Sequence, residues 1–124
     1  MEGTMMRGTV WVEEVQDWNE ERDNLNYKPA LEFAMLDEEV EEYMEASLAD
    51  DLVGQADALA DILVVATGSL YKLVGGDKYK FDDVMLAVTA ANNCKSYIKN
   101  EQGKIIKNAG FVGPEIMIQG ILDD

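Results

Sequence analysis

Acidic side chains in two neighbouring segments are the residues of this sequence best placed to do chemistry. In DEEVEEYMEA, Glu39 and Glu42 lie three residues apart and share one helix flank with apolar neighbours. In DALADILVVA, Asp57 and Asp61 lie one turn apart, and Asp61 is surrounded by apolar residues. Such carboxylates need a partner, because an unpaired buried charge is costly.

A divalent cation is the most economical partner for these acids. Basic residues are scarce nearby in sequence, since Lys72 is the first after Arg22 and Lys28. Oxygen ligands without His or Cys select a hard ion such as Mg²⁺, for which Mn²⁺ is a plausible substitute. The sequence therefore predicts a metal site with four ligands: Glu39, Glu42, Asp57 and Asp61. The alternative stays open that the acidic run is a solvated helix face and that Asp61 only bonds a neighbouring helix.

Composition excludes several classes of function. The 124 residues carry 25 Asp and Glu against 10 Lys and Arg, and the net charge of −15 repels nucleic acid and anionic membranes. The absence of His removes Ser-His-Asp catalysis and His-ligated zinc, and the single Cys94 cannot form an internal disulfide. The first 18 residues do not resemble a signal peptide. We therefore expect a cytoplasmic protein with no nucleic-acid or membrane partner.

The hydrophobic pattern predicts an all-α fold in a single domain spanning residues 1–124. Pro29 suits the start of a helix, Asp50 or Asp51 can cap the next, and Gly75-Gly76 ends it. We expect four helices, with ranges of about 10–22, 29–49, 51–74 and 81–99. A largely irregular tail is expected over 100–124, in which Ile105-Ile106 could form a short strand. The second helix is expected to bury one main face, made of Phe33, Leu36, Val40, Tyr43, Met44 and Ser47.

Five segments, in this order, resemble a known family. LDEEVEEYMEA at 36–46 and DALADILVVATG at 57–68 resemble the paired helix motifs of the MazG-like, all-α nucleoside triphosphate pyrophosphohydrolases. That superfamily also contains phosphoribosyl-ATP pyrophosphohydrolases and dimeric dUTPases. NNCK at 92–95, EQGKIIK at 101–107 and Gly113-Pro114 resemble the signature of a small branch common in phages and bacterial mobile elements.

The resemblance implies a site that holds Mg²⁺ against a triphosphate. Its first pattern, Glu-Glu-x-x-Glu, is met by Glu38, Glu39 and Glu42. Its second, Glu-x-x-Asp, is met only partly, because Asp61 fits the last position while Ala58 stands in place of Glu and the acid lies at position 57. Within this pattern Glu38 is expected to be the base that activates water.

The implied reaction is hydrolysis of a (d)NTP to the (d)NMP and pyrophosphate, in the service of nucleotide-pool housecleaning. Asn92, Lys95 and Lys107 are expected to bind the substrate phosphates. The resemblance also implies a four-helix bundle completed by oligomerisation, as a homodimer or homotetramer. A different class of function remains as the alternative: a non-catalytic, acidic helical module that binds a metal or a partner.

Overall fold

Five α-helices make up the regular structure of residues 10–124, which are the residues that the computed structural model describes. The all-α class is thereby confirmed. Residues 1–9, on which part of the argument against a signal peptide depends, lie outside the described residues. The five helices are α1 (Val10–Glu21), α2 (Pro29–Leu48), α3 (Leu52–Leu73), α4 (Lys78–Asn93) and α5 (Glu115–Asp123).

The starts of α2 and α3 follow the local signals in the sequence. Pro29 occupies the first turn of α2, where its missing N–H costs no hydrogen bond. Asp51 caps α3, its side chain accepting a hydrogen bond from the backbone N–H of Gly54 at 3.0 Å. Between the two helices, Asp50 adopts a left-handed backbone with φ 53°. This tight reversal makes α2 and α3 an antiparallel pair.

Two compact units divide the chain, one ending at Gly76 and the other formed by Asp77–Asp124. In the first unit α2 packs along α3, and α1 packs against α3. Its buried apolar residues include Ala58, Tyr71 and Val74. The prediction that residues 1–124 fold as a single domain stays a prediction.

The expected core face of α2 is wrong, because this helix turns another face toward α3. Phe33 is 70% exposed, Met44 is 54% exposed and Val40 is 49% exposed. The residue of α2 that is buried is Glu32, which lies on the flank that carries the two acids Glu39 and Glu42. Successive positions on this flank are three and four residues apart, which suits close packing of two helices; they are 32, 35, 39, 42 and 46.

The second unit departs from the expected element boundaries. The fourth helix begins at Lys78 rather than 81, because Asp77 caps it by accepting hydrogen bonds from the N–H groups of Tyr79 and Lys80, at 2.9 and 3.1 Å. It ends at Asn93 rather than 99, followed by the exposed Cys94.

The tail expected to be irregular contains α5, which packs against α4. The short strand considered at Ile105-Ile106 is reduced to one antiparallel bridge between Lys99 and Ile105. The hydrogen bond from Ile106 N–H to the carbonyl of Ile98, at 2.9 Å, belongs to the same small hairpin.

Among the described helices, α3 is long and apolar enough to cross a membrane by length and composition. The core helix of a soluble protein passes the same test, so this is weak evidence for a span. Two of its three charged side chains have protein neighbours: Asp61 lies beside the acids of α2, and Lys72 forms an ion pair with Glu32.

Candidate metal centre and phosphate pocket

Three carboxylates meet where α2 packs against α3. Glu39 and Glu42 lie one turn apart on α2, and Asp61 comes from the facing side of α3. One oxygen from each of the three lies within 4.8 Å of the others. Glu39 and Asp61 are half-buried and Glu42 is exposed, so the cluster is open to solvent at one side.

Glu39 is the residue most affected by this crowding. A side-chain hydrogen bond with Glu42, desolvation, and the negative charges of Glu42, Asp61 and Glu38 together raise the pKa of Glu39 from 4.5 to about 7. Its Oε2 atom is buried and has no hydrogen-bond partner among the residues that the structure describes. A buried carboxylate oxygen without a donor is rare in folded proteins, and it is satisfied by a proton or a cation.

The cluster fits a hard divalent cation. Within the described part of the chain it offers three carboxylate oxygens from two helices and no nitrogen or sulfur ligand, which is the donor set that Mg²⁺ and Mn²⁺ prefer. The unsatisfied Glu39 Oε2 supplies an acceptor that protein donors leave free.

The other two acids of the predicted site, Glu38 and Asp57, do not belong to the cluster of three. Both are exposed, although Glu38 is close enough for its charge to act on Glu39. Position 58, one residue on from Asp57, is 3% exposed and is occupied by alanine. Ala58 lies three residues before Asp61 on the same side of α3, whereas a shift of one residue turns Asp57 by about 100° toward solvent.

The sequence did not predict a buried ion pair that lies in the same contact between α2 and α3. Lys72 of α3 pairs with Glu32 of α2, with Nζ and Oε1 3.2 Å apart and both side chains about 5% exposed or less. Ser69 donates a hydrogen bond to the same oxygen at 2.7 Å. The signal that could have found Glu32 is its spacing, seven residues before Glu39 and ten before Glu42, which places all three on one flank.

The three residues predicted to bind phosphate lie around one pocket of the second unit. Asn92, Lys95 and Lys107 line a cavity of about 460 Å³, together with the glycine and proline of the Gly113-Pro114 turn. Lys107 is held over the ring of Phe111, with Nζ 5.4 Å from the ring centroid. Two ammonium groups and an amide can bind an anion such as phosphate.

In the described residues 10–124, an all-helical fold brings the carboxylates of two packed helices together. A family model described as phosphoribosyl-ATP pyrophosphohydrolase matches residues 13–74, half of the chain. The chain therefore belongs to this family, within the MazG-like all-α superfamily that the sequence motifs indicate. No curated protein matches the chain. Membership supports pyrophosphohydrolase activity, in which a phosphoanhydride bond of a nucleotide is hydrolysed, and members typically depend on a divalent metal.

Proposed function

We propose that this protein is a Mg²⁺-dependent pyrophosphohydrolase that converts a (d)NTP to the (d)NMP and pyrophosphate. The observation that carries the proposal is the convergence of Glu39, Glu42 and Asp61, together with the buried Oε2 of Glu39, which has no hydrogen-bond partner in residues 10–124. Three like charges at this spacing disfavour one another unless a cation or proton compensates them. Membership of a pyrophosphohydrolase family supports the same reaction class.

The metal ligands we propose are these three residues, without Asp57. Bound Mg²⁺ would offset the charge of a triphosphate at a site that otherwise repels it, with Mn²⁺ as a possible substitute. Glu39 and Asp61 are fixed by helix packing, and Glu42 is placed by the regular rise of α2. Asp57 is exposed and is not one of the three clustered residues, so we regard it as a surface acid.

Glu38 is the proposed general base. It is exposed, so a water molecule can reach its carboxylate. It is adjacent to Glu39 in sequence, and its negative charge contributes to the raised pKa of Glu39. Accepting a proton from that water would generate the nucleophile that attacks the phosphoanhydride.

Asn92, Lys95 and Lys107 are the proposed phosphate-binding residues. The amide of Asn92 can donate a hydrogen bond to a phosphate oxygen, and the two lysines add positive charge. Two lysines and one carboxylate, Glu115, line this pocket, so it carries an excess of positive charge that favours an anionic ligand in a chain with net charge −15.

We further propose a homodimer or homotetramer acting in the cytoplasm in nucleotide-pool housecleaning. The exposed side chains of Phe33, Val40 and Met44 leave an apolar stripe along α2 that a second copy would cover. Light scattering after size exclusion tests this, with a monomeric mass contradicting it.

The decisive experiment measures pyrophosphate release from a panel of (d)NTPs with Mg²⁺ and with EDTA. Release that depends on Mg²⁺, and that is lost in both Glu38→Gln and Asp61→Asn, supports the reaction and the assigned roles. Glu41→Gln is the matched control, since Glu41 is an exposed acid of the same helix outside the cluster. Release that survives both substitutions would refute the residue assignment.

A non-catalytic acidic module that binds a metal or a partner is the second candidate. The exposed acids of α2 and the net charge of −15 favour it, because both suit a basic partner or ion storage. It predicts thermal stabilisation by Mg²⁺ with no product from any (d)NTP. The same assay, run beside a melting curve, therefore separates the two functions.

A further inference from the structure

The phosphate pocket of the second unit contains a carboxylate as well as two lysines. Glu115, the first residue of α5, lines the same cavity of about 460 Å³ as Lys95 and Lys107. The other polar side chains of its lining in the described residues, those of Asn92 and Asn108, are uncharged. A negative charge in a pocket suited to phosphate opposes the binding of an anion and therefore requires an explanation.

The usual role of an acid at the start of a helix does not account for Glu115. Such a side chain commonly interacts with the free backbone N–H groups of the first turn. The carboxylate of Glu115 accepts no hydrogen bond from the described residues 10–124, and within that range it forms no ion pair, with Lys95 and Lys107 included. Its charge is therefore available to act on a ligand in the cavity.

Gly113 provides the space in which this carboxylate lies. A Cβ atom added at position 113 would stand 2.8 Å from Oε1 of Glu115 and closer still to Oε2, and real Cβ atoms essentially never approach within 3.0 Å. The three nearest atoms that this Cβ would meet all belong to the Glu115 side chain, whose far end can move. An alanine at this position would therefore displace the carboxylate while leaving the net charge of the protein unchanged.

The carboxylate changes which anions the pocket prefers. Two lysines alone attract an anion in proportion to its charge, so they favour the most highly charged ligand. A negative charge beside them lowers the positive potential of the pocket and reduces this preference. Mg²⁺ bound to a polyphosphate cancels part of the negative charge of the polyphosphate. The metal complex therefore loses less affinity from the presence of Glu115 than the free anion does.

We propose that Glu115 is a specificity residue, which makes the phosphate pocket discriminate against free phosphate and pyrophosphate relative to metal-complexed polyphosphates. The inference rests on the proposed function, because that function supplies both the metal and the polyphosphate. It adds a role for an acid outside the cluster of three. The charge of Glu115 keeps free anions from occupying the pocket and favours the release of pyrophosphate that has lost its metal.

Two probes of different charge test the proposal without turnover. One is free tripolyphosphate. The other is the cobalt(III) tetraammine complex of tripolyphosphate, which is less negative and, being inert to exchange, gives up no metal to the acid cluster. Isothermal titration calorimetry in EDTA at fixed ionic strength measures the affinity of the whole chain for each probe. The ratio of the two affinities reports the selectivity of the pocket.

Glu115→Gln removes the charge of the carboxylate and keeps nearly its shape. It should raise the affinity for free tripolyphosphate about fivefold and that for the cobalt complex less than about twofold, because the repulsion scales with the charge of the ligand. Glu101→Gln is the matched control, since Glu101 is an exposed acid of the same unit that does not line the pocket. It changes the net charge equally, and both affinities should stay within about twofold.

Gly113→Ala tests the position of the carboxylate rather than its charge. By displacing Glu115 it should change the ratio of the two affinities in the same direction as Glu115→Gln, at constant net charge. Gly120→Ala is its control, because a Cβ at this glycine of α5 would meet no atom of the described residues within 4 Å. Both affinities should be unchanged in that variant, and circular dichroism checks the fold of each.

Two results would overturn the proposal. One is an affinity for free tripolyphosphate that rises in Glu115→Gln no more than the affinity for the cobalt complex. The other is an equal rise in Glu101→Gln, which would assign the effect to overall charge. Pyrophosphate release from (d)NTPs with Mg²⁺ keeps the two hypotheses apart. Release without the expected selectivity would remove the role of Glu115 and leave the reaction intact, whereas the selectivity without release would support that role and refute the reaction.

Discussion

Lys72 Nζ donates hydrogen bonds to both carboxylate oxygens of Glu32, at 3.2 and 3.3 Å, inside the contact between α3 and α2. Glu32 precedes Glu39 by seven residues and Lys72 follows Asp61 by eleven, so each pair shares one side of its helix. The ion pair therefore fixes the rotation that brings the acids of the two helices together. Because Lys72 is engaged by Glu32, it is not the cation that compensates Glu39.

Removing one partner of this ion pair should destabilise the protein strongly. Lys72→Met leaves the Glu32 carboxylate buried, with Ser69 as its one remaining donor among the described residues, and we expect a loss of about 3–5 kcal/mol in the free energy of unfolding. The double change Glu32→Met with Lys72→Met should cost much less, because no charge is then left uncompensated. Urea denaturation of both variants measures this, and a double variant as unstable as the single one would contradict it.

Neutralising one acid of the cluster should have opposite effects with and without metal. Asp61→Asn removes a negative charge beside Glu39, so the metal-free protein should melt at a higher temperature than the wild type. The stabilisation that Mg²⁺ gives should be lost, with metal affinity falling more than about a hundredfold, since even outer-shell changes cost 10–100-fold. Differential scanning calorimetry with and without Mg²⁺ records both. Equal metal-induced shifts in Asp61→Asn and Glu41→Gln would argue against the site.

The raised pKa of Glu39, about 7, gives stability and metal binding opposite dependences on pH. The folded protein holds this proton more tightly than the unfolded chain does, so the carboxyl contributes stability that is full below pH 4.5 and is lost as pH rises through 7. Relative to Glu39→Gln, the metal-free wild type should therefore lose stability between pH 5 and 8.

Metal must displace the same proton. Affinity for Mn²⁺ should therefore rise about tenfold from pH 6 to pH 8, with proton release on binding. Calorimetric titration in two buffers of different ionisation enthalpy measures that release. A pH-independent affinity would show that the proton on Glu39 does not compete with the ion.

Asp57 and Ala58 should respond differently to substitution. Asp57→Asn changes an exposed acid outside the cluster, and metal affinity should stay within about twofold, as for a screened surface charge. Ala58→Glu places a fourth carboxylate on the buried side of α3, which should lower metal-free stability and tighten metal binding. A large loss of affinity in Asp57→Asn would restore that residue to the ligand set.

Charge removal in the phosphate pocket should weaken substrate binding. Lys95→Gln and Lys107→Gln should each raise KM about fivefold or more, because each removes a charge-assisted hydrogen bond to phosphate. Lys99→Gln is the control, since Lys99 is an exposed lysine that does not line the pocket. Steady-state kinetics at fixed ionic strength decide the matter, and equal KM values for all three variants would exclude this pocket.

Local signals in the sequence predict the helices well where a cap or a proline marks the boundary. Pro29 and Asp51 begin α2 and α3 as expected, and Gly75-Gly76 follows the end of α3 with φ of 71° and 74°. Asp77 is an equally clear N-cap, but the charged residues KYK that follow it lack the apolar pattern by which a helix start is predicted. The start of α4 was therefore expected three residues too late. The helix α5 was missed because Gly120 and the short apolar run around it give no sustained period.

The rotation of α2 could not be obtained from hydrophobicity alone. Its most apolar stripe, which includes Phe33 and Met44, is exposed in a single chain, and the face that packs on α3 is marked by Glu32 and Glu39. The burial of these two side chains can be recognised only when the position of α3 is known. The proximity of Glu39 and Asp61 could nevertheless be predicted from the sequence, because each lies among apolar neighbours.

The left-handed Asp50 in the reversal between α2 and α3 limits how this position can change over generations. Asparagine and glycine tolerate such a backbone, and each is a single nucleotide away from an aspartate codon. Valine and alanine are equally near in the genetic code, but a Cβ without a local hydrogen bond strains the turn that brings the two acidic helices together. We expect related proteins to carry only aspartate, asparagine or glycine at this position.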